Sequence, residues 1–272
     1  MSARRRRRRR WWPWPKARTA KRWVRTFRRA PRLMQLTIVL AAVVLLALAV
    51  NGVYQLVRKP TELFFPVSGA LFKTPAETWR DYAPLFRRYS TAAIAPELLA
   101  ALAQVEGSGN PLVRTYWRWS WALRPFEMYR PASSAVGMYQ ITDGTFEVAR
   151  HYCIHHHELR REGAWNDFGS CWFTGLYLRV LPGDAIELTA AYLDLEVTEI
   201  LAGRRARAPP GELRHVAAVV HLCGAGAAEA YVRRGLRFNE GERCGDHDPR
   251  PYLARVDAMY AVFARLAAAD AQ

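Results

Sequence analysis

The first 32 residues contain no Asp or Glu, although they hold 15 of the chain's 40 Lys and Arg. The formal charge of +16 is therefore local. The rest of the 272-residue chain carries 25 basic against 24 acidic residues, which excludes a uniformly basic globular domain. Charge of either sign is missing from Leu33 to Val57. Cysteine is scarce: there are four, and none precedes Cys153. No Cys-x-x-Cys pair is present. Cys153 and the run His155-His156-His157 thus lack the paired ligands of a zinc site, and three consecutive His cannot all face one point. No metal is expected.

What is present sorts by region. Arg4 to Arg10 run without interruption into Trp11-Trp12-Pro13-Trp14-Pro15. Such a tail cannot bury a core. Its charge attracts anionic lipid headgroups, and Trp11, Trp12 and Trp14 suit the interface. Arginine runs also bind nucleic-acid phosphates without sequence preference. Beside a membrane span the lipid reading is favoured, and no specific nucleic-acid partner is expected. The apolar run, residues 33–54, is long enough to cross a bilayer as one helix. Ala47-Leu48-Ala49 resembles a signal-peptide cleavage site, but leader and run are both long for that, so an uncleaved anchor is favoured. Only Arg58 and Lys59 follow the run closely, so the N-terminus is expected in the cytoplasm and the remainder outside.

An even number of cysteines outside the membrane suggests two disulfides among Cys153, Cys171, Cys223 and Cys244. Three pairings are open; short loops favour Cys153 with Cys171 and Cys223 with Cys244. Residues 55–89 read as a stalk, punctuated by Pro60, Pro66, Pro75 and Pro84. Its aromatic residues, among them Phe72, Trp79, Tyr82 and Phe86, make it too apolar for a free linker, so it is expected to pack on the domain or lie along the membrane surface, with packing favoured. Residues 90–272 read as the main domain.

That domain is organised around Leu98 to Gln140. Leu98 to Val105 forms an apolar helix that delivers Glu106 to its end, and Gly107, Gly109 and Pro111 are expected to stop it. A carboxylate set against packed side chains is poorly solvated when charged, which suits it to hold a proton as a general acid for glycosidic cleavage. Glu106-x-Ser108-x-Asn110-Pro111, followed by Ser134-Ala135-x-Gly137-x-x-Gln140-Ile141, resembles the catalytic core of lytic transglycosylases. These are the lysozyme-like enzymes that cut bacterial peptidoglycan. Their usual pattern is Glu-Ser-x-x-Asn-Pro, then Gly-Ala-x-Gly-Leu-Met-Gln. This chain departs at Gly107, at Ser134, and at Met138-Tyr139.

Weaker likenesses follow, so that the resemblance covers about residues 90–260. Ile186 to Leu193 is similar to the family's Asn-Ile-x-x-Gly-x-x-Tyr-Leu helix, with Ala185 and Thr189 at the Asn and Gly positions. Val216 to Gly226 is similar to Ala-x-Tyr-Asn-Ala-Gly-x-Gly, with His221, Leu222 and Cys223 at the Tyr, Asn and Ala positions. In the family that Tyr helps to orient the catalytic Glu; His221 can still hydrogen-bond Glu106 or the sugar, whereas the Leu222 side chain cannot. Pro251-Tyr252-Leu253 through Tyr260 closes the domain as a helix.

The resemblance implies a mainly α, lysozyme-like domain preceded by one transmembrane helix. It implies Glu106 as the catalytic residue, with Ser108, Asn110, Ser134, Gly137, Met138, Tyr139, Gln140 and His221 bordering the substrate. Glu106 would protonate the oxygen between N-acetylmuramic acid and N-acetylglucosamine. It would then take the proton of the muramoyl 6-hydroxyl as a 1,6-anhydro ring closes. No cofactor is implied. A two-carboxylate hydrolase would need a partner from Glu127, Asp143 or Glu147, none of which a motif places there. The expected partners are peptidoglycan glycan strands, the bacterial cytoplasmic membrane and an envelope or secretion apparatus, with the catalytic domain periplasmic. Trp117, Trp119 and Trp121 alternate in an insert between the two motifs, where a strand would put them on one face. That face would stack on sugars, cap the core or touch the membrane. Two other classes stay open: a non-catalytic peptidoglycan-binding scaffold, and a tether working through the Arg tail.

Overall fold

The computed structural model describes residues 17–120, 126–164, 166–167, 169–202 and 207–272. Arg4 to Arg10, Trp11, Trp12, Trp14 and Trp121 lie outside the described residues. The described chain is mainly helical. It divides into two compact units, Met1–Tyr54 with Ser120–Tyr129, and Gln55–Trp119 with Arg130–Gln272.

The first unit holds α1 (Ala17–Arg29) and, through Tyr54, most of α2 (Arg32–Arg58). The 27 residues of α2 rise about 40 Å at 1.5 Å each, more than the hydrocarbon core of a bilayer. Leu36, Leu40, Leu45 and Leu46 are each about two-thirds exposed. The helix is long and apolar enough to cross a membrane, and protein buries none of its most apolar stretch. Near its end, Asn51 Nδ2 donates to the Tyr129 carbonyl at 2.6 Å and the Tyr54 ring lies 5.2 Å from that of Phe126. The end of the aromatic insert thus rests on this helix.

The second unit begins with the segment read as a stalk. A 3₁₀ turn (Pro60–Phe64) and a single helical turn, α3 (Phe65–Ser68), lead into α4 (Pro75–Tyr89). Glu62 is buried and takes an ion pair from Lys59 at 3.3 Å, another from Arg114 at 3.2 Å, and the Trp117 indole N–H at 2.9 Å. Burial lowers the pKa of Lys59, and Glu62 opposes that shift. Thr74 and Glu77 form a reciprocal capping box at the start of α4. Trp79, Ala83 and Phe86 of α4 then enter the core.

The core is built on α5 (Pro96–Gly107), whose Leu98, Leu99 and Leu102 are at most 1% exposed. A helix apolar on every side must be enclosed on every side. Burying each leucine contributes about 1.5–3 kcal/mol. The enclosing elements include α4, α7 (Pro182–Leu201) and α10 (Pro249–Asp270), while α8 (Pro210–Cys223) and α9 (Ala225–Arg233) pack against α7. A short helix, α6 (Asp143–Ala149), also lies on α7 and starts at Thr142, whose hydroxyl accepts the Thr145 N–H.

Strands are few among the described residues. β1 (Trp117–Trp119) pairs with β2 (Tyr129–Pro131), and β3 (Tyr152–His155) pairs antiparallel with β4 (Glu158–Arg161). His156 and His157 form the two-residue turn of the second hairpin, both with positive φ, as a primed turn requires. Cys153 is joined to Cys171 and Cys223 to Cys244, the short-loop pairing.

The end of α5 differs from expectation. Gly107 continues the helix rather than stopping it. Its hydrogen is needed because a Cβ there would stand 2.8 Å from the Met138 carbonyl oxygen. Ser108 takes the left-handed position at φ 49°, and the Gly109 N–H closes the helix on the Ala103 carbonyl at 3.1 Å.

Candidate functional site

Glu106 sits on the last turn of α5, with its side chain 18% exposed. Tyr252, near the start of α10, donates its hydroxyl to Glu106 Oε1 at 2.7 Å. Burial, followed by the adjacent carboxylate, raises the Tyr252 pKa well above its ordinary value. The phenol therefore keeps its proton and remains a donor. His221, from α8, puts Nε2 3.7 Å from the same oxygen. Its side chain is 11% exposed, and burial lowers its pKa, opposed by Glu106 and by a backbone hydrogen bond to Tyr139. A neutral imidazole is thus favoured beside the carboxylate. Oε2 of Glu106 accepts no hydrogen bond among the described residues.

The two motifs meet. The backbone of Met138 lies against Gly107, immediately after Glu106, and the Tyr139 ring stands edge-on to His221 at 6.4 Å. The second motif is bolted down by Arg179, whose guanidinium donates to the carbonyls of Ile141 at 2.9 Å and Ser134 at 3.3 Å. It also pairs with Asp143 at 2.8 Å. At Gly137, φ is 78° and a Cβ would come within 2.2 Å of the Arg179 carbonyl oxygen, so only glycine fits.

Several side chains expected to border substrate are turned inward in the structure. Asn110 is fully buried; its Nδ2 donates to the Ser68 carbonyl at 2.7 Å and its Oδ1 accepts the Leu112 N–H at 2.8 Å. It fastens the stalk to the loop after Glu106. Met138 and Tyr139 are fully buried, and the Tyr139 hydroxyl is spent on the Leu99 carbonyl at 3.0 Å. A substrate cannot reach side chains that packing already encloses. Ser134 is half-buried, and its hydroxyl accepts the Asp143 N–H at 3.1 Å, at the start of α6. Gln140, at φ 50°, is half-buried and folds its amide back to the Gly137 carbonyl at 2.8 Å. Ser108 is half-buried beside Glu106. Glu106, Ser108, Ser134, Gln140 and His221 are thus the expected residues that keep some exposure, and of these the His221 side chain reaches the carboxylate, with Nε2 3.7 Å from Oε1.

The sequence reading missed Tyr252 as a site residue. It lies 146 positions from Glu106, and its only local signal was its place at the start of a closing helix. Of the possible second carboxylates, Asp143 is committed to Arg179 and Glu147 to Arg150 at 3.4 Å. Trp117 is committed to Glu62, while Trp119 is 62% exposed. No protein-family model and no curated protein matches the chain. The functional reading therefore rests on the residues and their geometry. A cavity of about 840 Å³ elsewhere in this unit is lined by His157, Glu158, Asp194, Thr198, Ala208 and Leu213 among others, and includes none of the expected site residues.

Proposed function

We propose that the chain is a membrane-anchored lytic transglycosylase with a lysozyme-like domain, using Glu106 alone as acid and base. The observation that carries this reading is the setting of Glu106. It is a mostly buried carboxylate with one oxygen held by Tyr252 and the other open. With Oε1 fixed as an acceptor, the proton of the acid form sits on Oε2. From there it passes to the glycosidic oxygen as the bond to C1 of N-acetylmuramic acid breaks. The carboxylate then removes the proton of the muramoyl 6-hydroxyl while that oxygen bonds to C1. Glu106 regains its proton, and no water is consumed. The anchor would keep the enzyme at the cytoplasmic membrane, with its domain facing the wall, for remodelling or for opening the wall around an envelope apparatus.

The test is digestion of purified peptidoglycan by the full chain in detergent, with fragments weighed beside a Glu106→Gln control. Anhydro-ended muropeptides, each lighter by one water than a hydrolysis product and lost in the control, are expected. Hydrated reducing ends would mean a lysozyme-type hydrolase. The inward-turned Asn110 and the Leu222 substitution favour a second reading, a glycan-binding scaffold. Binding without fragments, unchanged in the Glu106→Gln protein, would select it.

A further inference from the structure

The helix before the membrane span carries an inference that is independent of the role of Glu106. Along α1, Arg22, Arg25 and Arg29 follow one another at spacings of three and four and share a face. Trp23 and Phe27, four apart, fall on the opposite side with Val24 beside them, and Arg28 sits at the rim. Trp23 is 75% exposed and Val24 53%, so the described residues leave these two uncovered, while Phe27 is half-buried. No acidic residue occurs in α1 or before it. The helix is also held in place. Gln35, in the first turns of α2, donates its amide to the carbonyls of Phe27 at 3.0 Å and Ala30 at 2.9 Å. These groups lie at the C-terminal end of α1, where carbonyls lose their intrahelical partners. The clamp braces the elbow at Ala30-Pro31.

We propose that α1 is an interfacial helix that binds anionic lipid in the leaflet on the N-terminal side of α2. Trp23, Val24 and Phe27 enter the acyl boundary, and Arg22, Arg25, Arg28 and Arg29 bind headgroup phosphates. Both faces argue for lipid over nucleic acid. A phosphate backbone would satisfy the arginines but leave Trp23 and Val24 in water, whereas a membrane surface satisfies both. Continuity supplies the rest: α1 ends three residues before a helix long and apolar enough to span.

The test uses the full chain reconstituted in vesicles, with a fluorescent label on a cysteine placed by Trp23→Cys or by Arg25→Cys. The native cysteines are paired in disulfides and stay unlabelled. Quenching by acrylamide on both sides of the membrane is compared with quenching by spin-labelled lipid. In phosphatidylglycerol-rich vesicles, the label at 23 is expected to be reached by the lipid quencher and to be roughly fivefold less accessible to acrylamide than the label at 25. Replacing Arg22, Arg28 and Arg29 with Gln in the Trp23→Cys protein should remove most of that protection. Phosphatidylcholine vesicles should weaken it. Equal acrylamide quenching at 23 and 25 in anionic vesicles would overturn the proposal. So would loss of lipid quenching at 23 when duplex DNA is added to both sides, which would assign the helix to nucleic acid.

Discussion

Glu106 and Glu187 sit in the same unit, on helices of similar apolarity, and each accepts a tyrosine hydroxyl. Tyr252 reaches Glu106 at 2.7 Å and Tyr177 reaches Glu187 at 2.9 Å. The difference lies in the second oxygen. Glu187 also receives the Ile154 N–H at 3.0 Å, so both of its oxygens are occupied, and the residue is 4% exposed. It ties the β3 strand to α7. Glu106 has one oxygen held and one open, with 18% of its side chain exposed. Burial and a phenol partner therefore do not by themselves distinguish the two carboxylates; the unpaired second oxygen of Glu106 does.

The largest expected effect separates the two at once. Glu106→Gln should reduce peptidoglycan turnover by about a thousandfold or more while leaving the melting temperature nearly unchanged, because a general acid is worth about 10²–10⁴ in rate. Comparable turnover in the variant would remove Glu106 from the chemistry. The two disulfides sharpen the comparison next. Cys223–Cys244 ties α8, which carries His221, to the loop leading into α10, which carries Tyr252. Cys153–Cys171 lies on the Glu187 side, on β3. Replacing either pair with Ser should cost about 3 kcal/mol in denaturant unfolding, since the loops are of similar length. Only loss of Cys223–Cys244 should also lower kcat of the protein that remains folded. Equal kcat in the two variants would separate that disulfide from the site.

Glu187→Ala should cost about 1–3 kcal/mol of stability, because it strands the Ile154 N–H and the Tyr177 hydroxyl. Its folded fraction should turn over normally, and a rate loss as large as that of Glu106→Gln would erase the distinction. Tyr252→Phe should keep the fold and lower kcat by roughly tenfold, the worth of one positioning hydrogen bond. An unchanged kcat would show that Glu106 needs no such holder.

The smallest effect is in pH dependence, and its sign differs between the two settings. Burial raises the pKa of Glu187. Its contribution is fully present below the unfolded value near 4.5 and is lost as pH rises through the folded value. Burial lowers the pKa of His221, so its contribution is fully present above the unfolded value near 6.5 and is lost as pH falls through the folded value. Unfolding measured across these windows should flatten on the rising side in Glu187→Gln and on the falling side in His221→Gln. The same slope in variant and parent would contradict the assignment.

Features that depend on neighbours along the chain were legible from the order of residues alone. The charge-free run became the 27-residue helix. Glu106 stood at the end of an apolar helix, as its position in the pattern implied. Motif likeness was a poorer guide to side-chain direction. Asn110, Met138 and Tyr139 match or replace motif residues, yet each is enclosed, because α5 and the stalk pack over that side of the loop.

Hydrophobic run length, capping residues and turn chemistry act over a few residues, so the order of letters is enough to place the helices and the carboxylate. Which oxygen of Glu106 is held, by whom, and which is left open depends on how α8 and α10 cross the end of α5. So does the need for a bare glycine at 107, which arises only when the Met138 backbone closes on it. These are contacts between elements far apart in the chain. Their geometry is set by how side chains fill the space between helices, a property of the packed assembly that no local stretch contains.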